Sequence, residues 1–156
     1  MKKSKSKKVL VLGIGNILHK DDGVGVHVVN EISETVSDHP ENVEVFDGGT
    51  FGYDLLPVMS GREKIVIVDA LKVDDEPGSI YRFPASHLTD SANKFSLHDV
   101  GVKKIIDMLM LMGEYPEIEI VGIVPEDIYS LDIGISDSVK KSIPKAVEYI
   151  LEAAAQ

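Results

Sequence analysis

Two aspartates and one histidine are the residues of this 156-residue chain whose types and spacing could do chemistry at one site. Asp22 lies in the loop after a first apolar run, and Asp69 directly follows Ile-Val-Ile-Val. His98 stands at the start of the helix that we predict after the fourth strand. Because ligands of open α/β sheets bind outside the carboxyl ends of the strands, these three side chains are expected to converge at one edge.

Two carboxylates and one imidazole suit a divalent ion such as zinc or nickel, with open positions for water or a substrate group. A water held by the ion or by the carboxylates could attack a peptide carbonyl. The same pair without a permanent metal could share a proton in an aspartic-type mechanism, because two close carboxylates do not both ionise readily. The sequence does not separate these schemes. We therefore predict Asp22 and Asp69 as catalytic, and Asp22, Asp69 and His98 as metal ligands.

Each of these residues also has a simpler interpretation. Asp22 could only offset the positive end of the following helix dipole. His98 could be a surface residue inside a capping box that Ser96 and Asp99 form. Asp69 is the strongest candidate on its own, since an acid directly after a buried strand has to leave it at the edge where sites form.

A nucleotide site is the main alternative for the first loop, because Gly13-Ile-Gly15 follows a strand. The dinucleotide fingerprint fails here, since Leu18 stands at its third glycine position and two acids would face the phosphates. The remaining histidines have no partner at metal-ligand spacing, so we assign them no role and expect them to be solvent-facing or satisfied; they are His19, His27, His39 and His87.

The elements that would position the site follow from hydrophobic patterning. Apolar runs predict strands at 8–13, 43–46, 64–69, 79–83 and 118–124. Helical spacing, capping and turn signals predict helices at about 24–36, 53–59, 96–112 and 138–153. Residues 79–83 alternate and follow no convincing helix, so they predict an edge or antiparallel strand. The order predicts a three-layer α/β/α sandwich with a mostly parallel, mixed sheet of about five strands.

Composition limits the class of protein. The length suits one domain, 1–156, of which residues 1–7 are predicted to form a flexible basic tail. A net charge of -10 argues against nucleic acid, and no apolar run is long enough to span a membrane. There is no cysteine, so a metal would need imidazole and carboxylate ligands. With no cleavage site after the basic stretch, we expect a cytoplasmic protein.

Several motifs, taken as a set, resemble those of the hydrogenase maturation endopeptidases, in the same order and spacing from about Leu10 to Val124. They are Gly13-Ile-Gly-Asn16, Asp21-Asp-Gly-Val-Gly25, Asp47-Gly-Gly-Thr50, Val68-Asp-Ala70 and Ser96-Leu-His98. The family's metal-contacting residues correspond to Asp22, Asp69 and His98, the first being Glu in some members. The resemblance implies a twisted mixed sheet of about five strands flanked by helices, of the phosphorylase/hydrolase-like kind.

The resemblance also implies an activity, the removal of a C-terminal extension from the large-subunit precursor of a [NiFe]-hydrogenase after nickel insertion. Nickel is then recognised in the substrate, and whether the protease binds metal at rest stays open. The glycine turn at Gly48-Gly49 is expected to admit the substrate tail. Two alternatives remain: a non-catalytic nickel-dependent chaperone or sensor of the large subunit, and a related protease with a different nickel-enzyme client.

Overall fold

The centre of the structure is a sheet whose middle strands are covered on both faces. The computed structural model describes residues 8–35, 41–88, 96–97 and 101–156. Within them the main path of the sheet has five strands in the order β2-β1-β3-β6-β4, and a two-residue strand, β5, pairs with β3 alone. The strands are β1 (Val9–Ile14), β2 (Val43–Gly49), β3 (Lys64–Lys72), β4 (Ile80–Pro84), β5 (Ser96–Leu97) and β6 (Glu117–Ile123).

The sheet is mixed, as the sequence predicts. β1 is parallel to both β2 and β3, and β3 is parallel to β6. β4 lies at the edge and runs antiparallel to β6. Its direction follows from the short connection after β3, which holds no crossover helix. The prediction of an edge or antiparallel strand is confirmed.

Helices form the two outer layers. They are α1 (Val24–Thr35), α2 (Leu56–Met59), α3 (Gly101–Leu111), α4 (Asp137–Lys140) and α5 (Ile143–Ala155). Short 3-10 turns occupy Lys20–Gly23, Gly52–Leu55 and Ala85–His87. Pro144 stands in the first turn of α5, where its missing N–H costs nothing. No helix in the described part of the chain combines the length and apolar character that a bilayer crossing requires.

Alternation along the strands divides the interior into two cores. Val9 and Val11 of β1 point into the core that α1 and α5 cover, whereas Leu10 and Leu12 point into the core that α2 and α3 cover. The same period explains why the strands read as continuous apolar runs, since both faces are buried. The predicted α/β class, with helices on both faces of a mostly parallel sheet, is confirmed.

One local prediction is wrong. Ser96 is not the N-cap of a helix, because Ser96 and Leu97 pair antiparallel with Lys72 and Leu71 of β3. The described part of α3 spans Gly101–Leu111, so the helix is shorter than the predicted 96–112. A serine followed three residues later by an acid therefore marks a strand here, since pairing with β3 satisfies the backbone that a cap would otherwise serve.

Candidate functional site

The strand order predicts a crevice at the carboxyl ends of β1 and β3. The chain passes from β1 to β2 on one side of β1 and then to β3 on the other side, so the direction of winding reverses there. Ligands of doubly wound sheets bind at such a reversal, outside the carboxyl ends of the strands. Asp22 follows β1 and Asp69 belongs to β3, so they flank this crevice.

Asp69 is fully buried on β3, next to the point where pairing with β1 stops. Val68 is the last residue of β3 that pairs with β1, through Gly13. Asp69 Oδ1 accepts the N–H of Ala70 at 2.7 Å. The strand continues to Lys72, so the expectation that Asp69 ends it is wrong, whereas its place at the carboxyl end of the β1–β3 pair is as predicted.

Asp22 lies in the 3-10 turn Lys20–Gly23, just before α1, and is 8% exposed. Its Oδ2 accepts the N–H of Asn16 at 3.3 Å, and its own N–H donates to the carbonyl of His19 at 3.0 Å. These contacts fold the segment after β1 back on itself. The carboxylate is thereby held against the backbone of Asn16, close to the first turn of α1.

Two glycines of the first motif let the turn and the helix approach the sheet. A Cβ at Gly15, whose φ is +142°, would lie 2.0 Å from the carbonyl oxygen of Asp22. A Cβ at Gly25 would lie 2.1 Å from the carbonyl oxygen of Val68. Only glycine tolerates such approaches. The glycines therefore serve packing rather than phosphate binding, and they bring the Asp22 turn onto the part of β3 that carries Asp69.

Asp21 is a residue whose role the sequence analysis missed. It is fully buried, and its carboxylate accepts three backbone N–H groups: from Glu126 at 2.9 Å, Asp127 at 3.0 Å and Ser136 at 2.8 Å. These residues belong to the loop after β6. Asp21 thus fastens that loop to the turn that carries Asp22. No local signal distinguishes it from Asp22, because its partners lie more than a hundred positions away.

The loop after β6 is also organised from within. Asp127 Oδ1 accepts the N–H groups of Tyr129 and Ser130 at 2.9 and 3.0 Å, and Oδ2 accepts the Ser130 hydroxyl at 2.5 Å. The Ser130 hydroxyl and these amides lower the pKa of Asp127 to about 2. The loop therefore carries an acid that stays ionised over the whole range in which the protein would work.

The predicted third ligand, His98, lies outside the described residues. Its sequence neighbour Leu97 pairs with Leu71, two positions beyond Asp69. Within the described ranges, no group of three or more His, Cys, Asp or Glu side chains could hold a metal ion. The set of Asp22, Asp69 and His98 therefore stays a prediction.

The other histidines differ in their surroundings. His19 Nδ1 lies 3.4 Å from the carbonyl oxygen of Tyr129, and the exposed His87 stacks on Phe83. His27 Nε2 is buried and has no hydrogen-bond partner among the described residues, which departs from the expectation of a satisfied or solvent-facing ring. His39 lies outside the described residues.

Comparisons with known sequences agree with this architecture. A family model described as hydrogenase maturation protease (HycI) matches residues 26–153. The Hydrogenase 2 maturation protease of Escherichia coli is 34% identical over 149 residues, which cover 94% of this chain and 90% of that protein. The hydrogenase expression/formation protein HupD of Rhizobium leguminosarum is 33% identical over 144 residues, covering 90% of this chain and 71% of that protein.

Solved structures are similar over nearly the whole chain. The hydrogenase maturating endopeptidase HybD from E. coli has a TM-score of 0.83 at 33% identity, covering 94% of this chain and 91% of that chain. The [NiFe] hydrogenase maturation protease HybD from Thermococcus kodakarensis has a TM-score of 0.77 at 30% identity, and the match covers 94% of this chain and 99% of that chain. The fold is thus that of an α/β protease class. The chain belongs to the hydrogenase maturation protease family, and the resemblance seen in its motifs is confirmed.

Proposed function

We propose that this protein is an endopeptidase that removes a C-terminal extension from the large-subunit precursor of a [NiFe]-hydrogenase after nickel has been inserted. The observation that supports the proposal is that Asp22 follows β1 and Asp69 lies on the neighbouring parallel strand β3, with two close glycine contacts nearby, in a chain of a protease family. The proposed partner is the precursor itself, and the proposed compartment is the cytoplasm.

Asp22 and Asp69 are the proposed catalytic residues, and with His98 they are the proposed metal contacts. Carboxylate oxygens suit a borderline divalent ion such as nickel, and both carboxylates lie at the crevice with one oxygen each held by a backbone N–H. The nickel belongs to the substrate in this scheme. When present, it would supply an anchoring point for Asp22, Asp69 and His98.

The hydrolytic step needs a base and then an acid. A carboxylate takes one proton from water while the water oxygen adds to the peptide carbonyl carbon. The C–N bond then breaks, and the same proton passes to the departing nitrogen, which leaves a new carboxyl end and a free amine. Two neighbouring carboxylates can share this proton, because their mutual repulsion favours the singly protonated pair. Both the metal-assisted scheme and the aspartic-type scheme are compatible with this step.

Dependence on nickel follows from the proposed contacts. A precursor without nickel offers no bond to Asp22, Asp69 or His98, so its scissile peptide is held less firmly at the crevice. Cleavage would then report that the metal has been inserted. This is also the feature that separates the proposed activity from general proteolysis.

Intact-mass spectrometry of a large-subunit precursor, with and without nickel, tests the proposal. We expect the wild-type protein to shorten only the nickel-loaded precursor. Asp69→Asn and His98→Ala should slow cleavage by roughly a thousandfold while the fold is retained. Asp107→Asn, on the exposed face of α3, is the control and should cut at the wild-type rate. Normal trimming by Asp69→Asn would defeat the assignment.

The same measurement covers the two alternatives. A chaperone or sensor would bind the precursor and leave its mass unchanged at any enzyme concentration. A protease with another client would leave this precursor intact but shorten the precursor of a different nickel enzyme. The family contains proteases named for different hydrogenases, among them the E. coli Hydrogenase 2 protease at 34% identity, so clients of several hydrogenases belong in the assay.

A further inference from the structure

The loop after β6, residues 125–136, holds large apolar side chains out in solvent. Tyr129 and Leu131 are each 82% exposed and Ile133 is 62% exposed. Leu18, on the loop after β1, is 55% exposed beside them, since its carbonyl accepts the N–H of Asp132 at 3.0 Å. Contiguous exposed apolar groups of this size mark interaction sites in soluble proteins.

These side chains stand on a fixed backbone. Asp21 holds both ends of the loop through the N–H groups of Glu126 and Ser136. At its middle, Asp132 forms a bridge with the loop after β1, in which the N–H of Lys20 also donates to the Asp132 carbonyl at 2.8 Å. A surface that is already ordered loses less entropy on binding. The loop is therefore built to present its apolar side chains rather than to bury them.

The surface is acidic. Glu126, Asp127, Asp132 and Asp137 belong to the loop and the start of α4, and Lys20 is the single Lys or Arg within residues 16–23 and 125–138. Its natural complement is a surface with apolar groups surrounded by Lys and Arg. Such an acidic surface repels anionic membranes and nucleic acids, which leaves a protein as the occupant.

We propose that the side chains of Leu18, Tyr129, Leu131 and Ile133 form a docking surface for a client protein whose contact area is apolar at its centre and cationic at its rim. The inference rests on the proposed function, because it takes the client to be the large-subunit precursor. The surface follows the carboxyl end of β6, and Gly122 of β6 pairs with Asp69, so a client seated there lies beside the crevice.

The opposite end of the sheet supplies a matched control. Leu111 ends α3 and Tyr115 follows it, near the amino ends of the strands, and they are 82% and 77% exposed. The double variant Leu111→Ser with Tyr115→Ser removes the same residue types at similar exposure to Leu131→Ser with Tyr129→Ser. Neither pair is buried, so both variants should keep the thermal stability of the wild type.

The test measures cleavage kinetics and direct binding with the nickel-loaded precursor. We expect Tyr129→Ser with Leu131→Ser to raise KM and the dissociation constant about tenfold, with kcat within about twofold, because docking and chemistry use different residues. The control variant, Leu111→Ser with Tyr115→Ser, should change neither KM nor the dissociation constant by more than about twofold. Wild-type binding should also weaken as ionic strength rises from about 0.05 to 0.5 M, because the rim contacts are charged.

Several results would overturn the inference: wild-type affinity in the loop variant, an equal loss in the control pair, or no binding of precursor to the wild type. A wild type that binds the precursor through this loop without shortening it would refute the proposed endopeptidase and leave the docking surface standing. Failure of the chemistry and failure of the docking are thereby distinguished.

Discussion

The two ends of the sheet handle charge in opposite ways. At the amino ends of the strands, acids meet cations: Lys64, 4% exposed, lies 3.1 Å from Glu119, and Arg62 lies 2.8 Å from Glu44. At the carboxyl ends, Asp21 accepts three backbone N–H groups, and Asp127 accepts two backbone N–H groups and the Ser130 hydroxyl. The acids at the amino ends are thus neutralised by ion pairs, which stabilise the fold. The acids at the carboxyl ends keep their negative charge.

This difference is consistent with the proposed position of the site at the carboxyl ends. A carboxylate paired with lysine or arginine has its charge satisfied and offers little to an ion or a proton. A carboxylate held by amides keeps its net charge and its position, since amide dipoles orient it without cancelling it. Glu44 and Glu119 at the amino ends could therefore take a cation or a proton only by breaking an ion pair.

The largest expected effect comes from Gly25→Ala at the carboxyl end. The new Cβ would lie 2.1 Å from the carbonyl oxygen of Val68 and 2.6 Å from that of Ile14, and backbone atoms cannot rotate away. Helix α1 has to lift from the sheet, so we expect the free energy of unfolding in urea to fall by about 3 kcal/mol. Gly134→Ala, whose Cβ would meet nothing nearer than 3.4 Å, is the control. If Gly25→Ala lowered the free energy of unfolding no more than Gly134→Ala does, the close packing of Gly25 against the sheet would be contradicted.

Asp21→Ala should lower the free energy of unfolding somewhat less, by about 2 kcal/mol. Three backbone amides lose their acceptor, and hydrogen bonds to water replace part of that loss. Amide hydrogen exchange should speed up at Glu126, Asp127 and Ser136 before the rest of the sheet is affected. Asp107→Ala on α3 removes only a surface ion pair with Lys103 and is the control. Unchanged exchange in the loop would show that Asp21 does not fasten it.

Lys64→Met probes the other side of the comparison. Burial raises the pKa of Glu119, and hydrogen bonds from Arg82 and Lys64 outweigh this and lower it. Arg82 remains at 3.2 Å in the variant, so Glu119 keeps a partner. We expect a loss of only about 1 kcal/mol in urea denaturation and no change in precursor cleavage. A large fall in kcat would show that the two ends are not separate.

The smallest effect is the pH dependence of the loop after β6. The folded pKa of Asp127, about 2, lies below its ordinary value, so its stabilising effect is complete above the ordinary value and is lost as pH falls through about 2. Amide NMR shifts of Tyr129 and Ser130 should therefore show a transition near pH 2. Asp127→Asn should remove that titration. A midpoint near the ordinary value would contradict the hydrogen bonds that Ser130 makes.

The sheet was largely predictable because its signals are local. The apolar runs around Val11 and Val66 are long enough to indicate strands buried on both faces, and an alternating segment without a preceding helix indicated the antiparallel edge. Strand β5 was not predictable, because two residues are too few to show the alternation of apolar and polar residues that indicates a strand. Its pairing with Leu71 and Lys72 depends on tertiary contact, which also overrides the capping pattern at Ser96.

The candidate site was predictable only in part. Asp69 follows from its place after four apolar residues, and Asp22 from its place in the loop after β1. Sequence alone does not tell whether Asp21 or Asp22 has the structural role. The role of Asp21 depends on backbone amides more than a hundred residues away, so only the structure shows it. His98 stays a prediction from sequence spacing and from the family resemblance.

Asp21 finds its amide partners more than a hundred residues along the chain. During synthesis on the ribosome, Asp21 emerges more than a hundred residues before Glu126, Asp127 and Ser136. A nascent or truncated chain that stops short of Ser136 lacks the amides that fasten this turn. The turn that carries Asp22 is thus fully fastened only after residue 136 has been made.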